Sequence, residues 1–271
     1  MDYGSCNVTR PALRYHGGKW RHTDWIISHF PRHDVYVEPF GGAASVLLSK
    51  ERAQIEVYND RWDRVVAFFR ILRERPDELL EQLVLTPWSR TEYGQSYEAT
   101  GDDLEDARRF FVQSWQGVGG IKARRGKKGQ RGWRYLVAKR DQSIPKWDGL
   151  LDSLYEVAMR MRGVQIECDD AKNVMRRFDD PKTLHYVDPP YTADTRRPGH
   201  KQAYFVEMSR ENHIWLADFL HGLEGTVVLS GYDSDLYREL YQDWQKTERQ
   251  FADNNHEKRT EILWLSSKQA R

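Results

Sequence analysis

Residues 35–50 read VYVEPFGGAASVLLSK. Val35 to Val37 has the β-branched and aromatic content of a short buried strand, Glu38-Pro39-Phe40-Gly41-Gly42 breaks it, and Ala43 to Lys50 suits a helix. Strand, glycine turn and helix make one βα unit, and a second follows at once. Ile55 to Tyr58 is another short run, ending in Asn59-Asp60 and giving way to Val65, Phe68, Phe69 and Leu72 at helical intervals. Two βα units in succession predict an α/β fold with a parallel sheet.

Between about Pro76 and Gly163 the β signals stop, and helical patterns flank a glycine-rich, basic stretch from Gly117 to Arg134. Strand-like runs return at Val164 to Glu167, Leu184 to Val187 and Thr226 to Leu229, and Ile262 to Leu265 makes a closing strand. The expectation is a sheet of roughly half a dozen strands carried by residues 1–75 and 164–271 and interrupted by a mostly helical insertion over 76–163.

The chain has 271 residues, 39% of them hydrophobic and 13% aromatic, enough for one substantial core and a smaller appended lobe. It is 31% charged, with no apolar run near the ~20 residues that cross a bilayer, and its first twenty residues carry no secretory signal. A membrane role is not expected, and a cytoplasmic location is. Cys6 and Cys168 stand far apart in no C-x-x-C arrangement, which supports neither a disulfide framework nor a cysteine zinc site. His29 and His33 have helical spacing, but Pro31 lies between them, so a metal pair is not expected either. With a formal net charge of only +1, affinity for a polyanion must come from where the charge sits.

Ligands of open α/β sheets bind beyond the carboxyl ends of the strands, and three such ends stand out. At Glu38 to Gly42, two glycines allow close backbone approach, and the next helix would offer free N–H groups to a small anionic or zwitterionic ligand. The same turn also serves as a plain tight connection, and it lacks the G-x-G-x-x-G spacing of a dinucleotide site. Asp60 is placed to accept from both hydroxyls of a ribose, or simply to cap the next helix. The third end is Asp188-Pro189-Pro190-Tyr191. Its prolines donate no N–H and hold the chain extended, so Asp188, the proline carbonyls and the Tyr191 ring project as a rigid unit. An aromatic exocyclic amine is a poor nucleophile because its lone pair is delocalised into the ring. Acceptors on its two N–H bonds, here Asp188 and the Pro189 carbonyl, favour the pyramidal form and stabilise the charge that develops on attack, while Tyr191 offers a stacking face.

Asp188-Pro189-Pro190-Tyr191 resembles the D-P-P-Y motif of amino-group DNA methyltransferases. Arg14-Tyr15-His16-Gly17-Gly18-Lys19-Trp20 resembles the N-terminal G-G-K motif of the Dam-type (D12) class of adenine-N6 methyltransferases. Glu38-Pro39-Phe40-Gly41-Gly42 is similar to that class's donor loop and Tyr58-Asn59-Asp60 to its N-D pair. Arg259-Thr260-Glu261-Ile262 and Ser230-Gly231-Tyr232 also resemble the class, more faintly. The resemblance implies a Rossmann-like S-adenosylmethionine-dependent methyltransferase sheet with an inserted target-recognition domain, acting on adenine N6 in duplex DNA. It implies donor contacts from Tyr15, Gly17, Gly18 and Lys19, with Lys19 near the donor's carboxylate. Glu38, Phe40, Gly41 and Gly42 would surround the methionine moiety and Asp60 would bind the ribose. The donor's adenine would meet Asp169 or Asp170, with Asp170 preferred, although both also suit the cap of a helix beginning near Ala171. Asp188, Pro189, Pro190 and Tyr191 would be catalytic, with Asp188 bordering the donor as well.

A base inside a duplex hides its amine, so the nucleotide must rotate into the pocket. Phosphate and base contacts fit the insertion, where Gly117 to Arg140 has no acidic residue but contains Lys122, Arg124, Arg125, Lys127, Lys128, Arg131 and Arg134, followed by Lys139 and Arg140. By itself such a run reads as a solvated loop. Its position, where the class carries its target-recognition domain, makes the first seven the expected DNA contacts, on a glycine-rich loop or hairpin. Trp115 and Trp133 flank the run as core residues or as wedges into DNA.

The expected partners are therefore S-adenosyl-L-methionine and double-stranded DNA, with no metal, for a monomer in a bacterial or phage-infected host cell. Alternatives are RNA adenine or DNA cytosine-N4 transfer, a catalytically silent DNA-binding protein, and a magnesium-dependent nuclease built on Asp179, Asp180 and Lys182. A polar turn before a strand accounts equally for those three residues. A silent binder has no need of Lys19, Asp60 and Asp188 to Tyr191 together.

Overall fold

The computed structural model describes residues 8–121, 132–135, 146–191, 205–252 and 258–267. Strands β1 (Val35–Glu38), β2 (Ile55–Asn59), β3 (Gln165–Glu167), β4 (Thr183–Val187), β5 (Thr226–Gly231), β6 (Gln245–Ala252) and β7 (Lys258–Leu265) form a seven-stranded sheet in the order β3-β2-β1-β4-β5-β7-β6. The first five are parallel, and β7 runs antiparallel to both β5 and β6. Strand order reverses between β1 and β4, which opens a crevice at their carboxyl ends.

Successive residues of each strand point to opposite faces. Tyr36, Tyr58, Tyr186, Val228 and Leu263 join one apolar cluster, and Val37, Val57, Val187, Val227, Leu229, Ile262 and Trp264 join the other. Helices cover both faces, so the central strands read as apolar without alternation. The first face is covered by α1 (Thr23–Ile27), α2 (Ser45–Ser49) and α3 (Asp63–Glu74), the second by α8 (Ala171–Arg177), α9 (Arg210–Gly222) and α10 (Asp235–Leu240). Val65, Phe68, Phe69 and Leu72 are the buried stripe of α3, as their spacing predicts.

Segment 76–163 holds α4 (Pro76–Val84), α5 (Arg90–Gln95), α6 (Asp103–Gln116) and α7 (Lys146–Met161). Asp102 starts α6 by accepting the N–H groups of Leu104 and Glu105 at 2.8 and 3.2 Å. Helices α6 and α7 pack on α3, and their apolar residues belong to the same cluster as the first sheet face. The segment is thus an added layer over that face and shares its core. Its described part brings the two ends of the basic run together. Gly117 and Trp133 form an antiparallel bridge, and Ile121 pairs with Tyr15, the amide of His16 donating to the Ile121 carbonyl at 2.9 Å. The start of the run is thereby fixed to the segment carrying the glycine-lysine motif.

Strand β6 was not expected. Its sequence, QKTERQFA, is polar because it pairs only with β7 at the sheet edge, so no buried face imposes an apolar pattern.

Candidate active site

The crevice at the reversal opens into a cavity lined from β1, β2, β4 and the segments that follow them. In the β1–α2 turn the Gly41 amide donates to the Asn59 carbonyl at 2.7 Å, and a β-carbon on Gly41 would collide with the Tyr58 ring. Gly42 and Ala44 both take left-handed backbone, at φ 47° and 54°, and the Tyr15 ring lies 3.2 Å from where a Gly42 β-carbon would sit. Ala44 pays for a conformation that β-carbons disfavour, a form of local strain that concentrates at ligand sites. Helix α2 has only five residues, and Glu38 already takes the Leu47 amide at 2.9 Å. One amide of the helix start is thus taken by a buried carboxyl of the chain, while Ser45 and Val46 of the same turn line the cavity.

Glu38 is 3% exposed, and its Oε2 also accepts the Tyr36 hydroxyl at 2.8 Å. Burial, reinforced by Asp188 nearby, pushes its pKa up to about 8 against those two bonds. A carboxyl raised above its unfolded value of ~4.3 favours the fold in its protonated form, and that contribution is lost as pH rises through about 8. Glu38→Gln mimics the protonated form. It is expected to flatten the decline of melting temperature between about pH 5 and pH 8; a decline as steep as in the unsubstituted protein would show that Glu38 is not the buried neutral group.

Asn59 clips three strand ends together, donating to the Pro39 and Asp169 carbonyls at 2.8 and 3.1 Å and accepting the Asp169 amide at 2.9 Å. Asp60 Oδ2 accepts the Gly42 amide and Oδ1 the Trp62 amide, both at 2.8 Å. It ties the two βα turns together, and burial pushes its carboxyl up against backbone bonds from Trp62, Gly42 and Arg61. Asp170 lines the cavity and also caps α8, accepting the Lys172 amide at 3.1 Å. Asp169 is occupied by Asn173 and Arg177 at 3.1 and 3.2 Å and does not line the cavity. Flat walls come from Trp62, on which Phe205 stacks at 3.6 Å, and from Trp215, whose face carries the Lys172 ammonium at 3.0 Å. Tyr15, Gly17, Gly18, Lys19, Phe40, Gly41 and Gly42 also border this space.

Asp188 leaves the end of β4 into the same cavity together with Pro190, while Pro189 is buried outside it. The Lys19 ammonium lies 3.2 Å from Asp188 Oδ1 and 3.1 Å from Glu261 Oε1, hydrogen-bonds the Tyr191 hydroxyl, and sits 4.5 Å from the centre of that ring. Burial raises the Asp188 pKa to about 6, with Lys19 opposing and Glu261 reinforcing the shift. Two expectations change here. Lys19 sits against carboxylates of the chain itself, since a buried ammonium needs them. Tyr191 is 6% exposed, with its hydroxyl turned inward and its ring 4.5 Å from Tyr232 in an edge arrangement, so it is a packed strut here and not an open stacking face. In the sequence Glu261 and Ser230 stand only within the two fainter motif resemblances, with no role implied for either. Trp62, Phe205 and Trp215 gave no signal, because aromatic residues next to helices read equally well as core.

Lys122, Arg124, Arg125, Lys127, Lys128 and Arg131 lie outside the described residues, as do Lys139, Arg140 and Cys6. Arg134 is half-buried, its amide donating to the Gln116 carbonyl at 2.8 Å. Trp115 is core, donating to the Ala12 carbonyl at 3.0 Å. Trp133 is half-buried under the Arg90 guanidinium, 4.7 Å from the ring centre. Asp179, Asp180 and Lys182 precede β4, at the opposite end of the sheet from the cavity. Asp179 there accepts the Glu224 and Gly225 amides at 2.8 and 2.9 Å, the ordinary work of a turn. Among the described residues no group of three or more His, Cys, Asp or Glu could hold a metal ion, and no helix is long and apolar enough to cross a membrane.

Comparison with known proteins agrees with this geometry. The chain is 25% identical over 243 residues to the DNA adenine methylase of Escherichia coli (strain K12), covering 86% of this chain and 84% of that protein. It is 24% identical, with the same coverage, to the DNA adenine methylase of Salmonella typhi. The family described as D12 class N6 adenine-specific DNA methyltransferase matches residues 15–256, which include six of the seven strands and every described site residue except Glu261. A match over that much of the sequence shows the family, and the chain belongs to the D12 class of N6 adenine-specific DNA methyltransferases.

Proposed function

We propose that the chain moves a methyl group from S-adenosyl-L-methionine to N6 of an adenine rotated out of double-stranded DNA. The observation that carries this reading is the position of Asp188, at the strand-order reversal, on the same cavity as the glycine turn, Asp60 and Asp170. That cavity fits such a donor: Asp60 and Asp170 line it as acceptors for ribose hydroxyls and an adenine amine, aromatic walls flank a flat ring, and the Gly41-Gly42 turn brings backbone to its wall for the methionine chain. When bound, the donor supplies an electrophilic methyl group on a sulfonium. Asp188 then accepts one N–H of the target amine, drawing the nitrogen lone pair out of the ring, whereas Pro189, buried outside the cavity, takes no part. Proximity and this acceptor lower the barrier to an in-line displacement in which the N–C bond forms as the methyl's bond to sulfur breaks, a neutral thioether leaves and the amine sheds one proton, with no covalent bond to the protein. Residues 76–163 serve as the target-recognition domain, the basic run from Lys122 to Arg134 meeting phosphates and bases. The chain acts as a monomer in the cytoplasm.

The test incubates the protein with tritiated S-adenosylmethionine and either duplex DNA or RNA, then identifies the labelled nucleoside. N6-methyldeoxyadenosine is the expected product. Label in RNA adenine or in N4-methylcytosine would move the substrate within the same chemistry. Donor binding without transfer to either polymer would overturn the reading in favour of a protein substrate or a silent binder.

A further inference from the structure

Lys19 and Tyr191 are 172 positions apart, and a single carboxylate oxygen holds both. Glu261 Oε1 accepts the Tyr191 hydroxyl at 2.7 Å and the Ser230 hydroxyl at 2.6 Å, and lies 3.1 Å from the Lys19 ammonium. Glu261 is 2% exposed, so these partners stand in for solvent around a buried charge. Its place follows from the topology. Because β7 is antiparallel, its early residues lie at the carboxyl end of β5, Ile262 opposite Gly231, beside the end of β4 that bears Asp188. The Tyr191 hydroxyl is also 3.1 Å from Asp188 Oδ1, but it has one proton and Glu261 is the nearer acceptor. Asp188 Oδ1 is left to share Lys19, and Oδ2 accepts nothing among the described residues.

We propose that Glu261 is a positioning residue for methyl transfer: by accepting the Tyr191 hydroxyl's hydrogen bond and pairing with part of the Lys19 charge, it keeps Asp188 open and basic toward the target amine. The role rests on the reaction proposed above. Without Glu261, Lys19 closes wholly onto Asp188 and Tyr191 donates there as well, which weakens Asp188 as an acceptor and leaves the ring without its anchor. Asp188 is faced by Lys19 from the N-terminal segment, Glu38 from β1, Tyr186 from β4 and Glu261 from β7. Glu261 is faced by Lys19 and His22, with Arg249 across from it on β6.

The deciding experiment measures single-turnover methyl transfer to unmethylated plasmid DNA across the acid range for the unsubstituted protein, Glu261→Gln and Glu261→Asp, with donor affinity measured by calorimetry. Glu261→Gln is expected to slow transfer about tenfold or more while donor affinity stays within about twofold. The acid limb of its rate profile should move to lower pH, because the negative charge that raises Asp188 is gone. Glu261→Asp keeps the charge and should recover part of the rate with the limb unmoved. A Gln variant with the rate and limb of the unsubstituted protein, or one that loses donor affinity in step with rate, overturns the proposal. Should the Gln variant fail to fold, slower transfer at unchanged donor affinity in the Asp variant supports the role, and an unchanged rate overturns it. Transfer by the unsubstituted protein tests the reaction itself, so the two failures remain distinct.

Discussion

Asp188→Ala is expected to lower methyl transfer by roughly 10³-fold or more, the scale of losing the principal group that stabilises charge in a transition state. The carboxylate sits 17% exposed on the cavity, with Lys19 at 3.2 Å from one oxygen and nothing described on the other. Substitution by alanine removes an acceptor needed during attack and leaves the glycine turn, Asp60 and Asp170 as they are, so donor affinity should hold. Stability should hold as well. A carboxyl whose pKa is raised to about 6 contributes fully to folding only below its unfolded value of ~3.9, and that contribution is gone once pH has risen through about 6. At neutral pH the ionised Asp188 therefore costs stability, and the protein bears this strain for function. In the unsubstituted enzyme the rate should climb with pH through about 6, as the carboxylate forms. Single-turnover rates, donor titration and a thermal melt of the variant decide the matter. Near-normal transfer would sink the mechanism, and loss of transfer together with donor binding would reassign Asp188 to holding the cavity in shape.

The legible parts of this chain were those where one local physical demand acts alone. Strands β1, β2, β4 and β5 are buried on both faces, so they had to be apolar runs, and their ends had to carry the turn chemistry at Gly41-Gly42, Asn59-Asp60 and Asp188-Pro189-Pro190. Strand β6 escaped because an edge strand in water has no such demand. The inward turn of Tyr191 and the place of Lys19 escaped for another reason. Each is set by Glu261, a residue distant in the chain, and charge pairing across a site leaves no periodic trace in any one segment. Asn59 illustrates the same limit: its neighbour Asp60 looked like the functional group of the pair, yet the Asn59 amide is what fixes three strand ends around the cavity.

Arg160→Ala should produce the largest loss of stability, about 3–5 kcal/mol, by leaving a buried carboxylate short of its partner. Arg160, near the end of α7, is 2% exposed and grips Glu56 of β2 with two bonds of 2.6 and 2.8 Å. It also donates to the Leu47 carbonyl of α2 at 2.6 Å, while Lys50 meets Glu56 at 2.8 Å. One guanidinium thus joins the last helix of segment 76–163 to the two βα units that shape the cavity. Burial alone would push Glu56 up, but the Arg160 bonds and charge, helped by Lys50, hold it below the ordinary range. A depressed carboxyl contributes stability above its unfolded value of ~4.3 and loses it as pH falls through the folded value. Without Arg160 the burial effect takes over, so the pH dependence due to this group should reverse sign. Chemical denaturation of the variant at neutral and mildly acidic pH would register both effects. Arg160→Met combined with Glu56→Gln should regain much of the loss, because it removes both charges and leaves only Lys50 to be solvated. If Arg160→Ala instead melts with the unsubstituted protein, α7 is held by its apolar face alone and the ion pair is incidental to the fold.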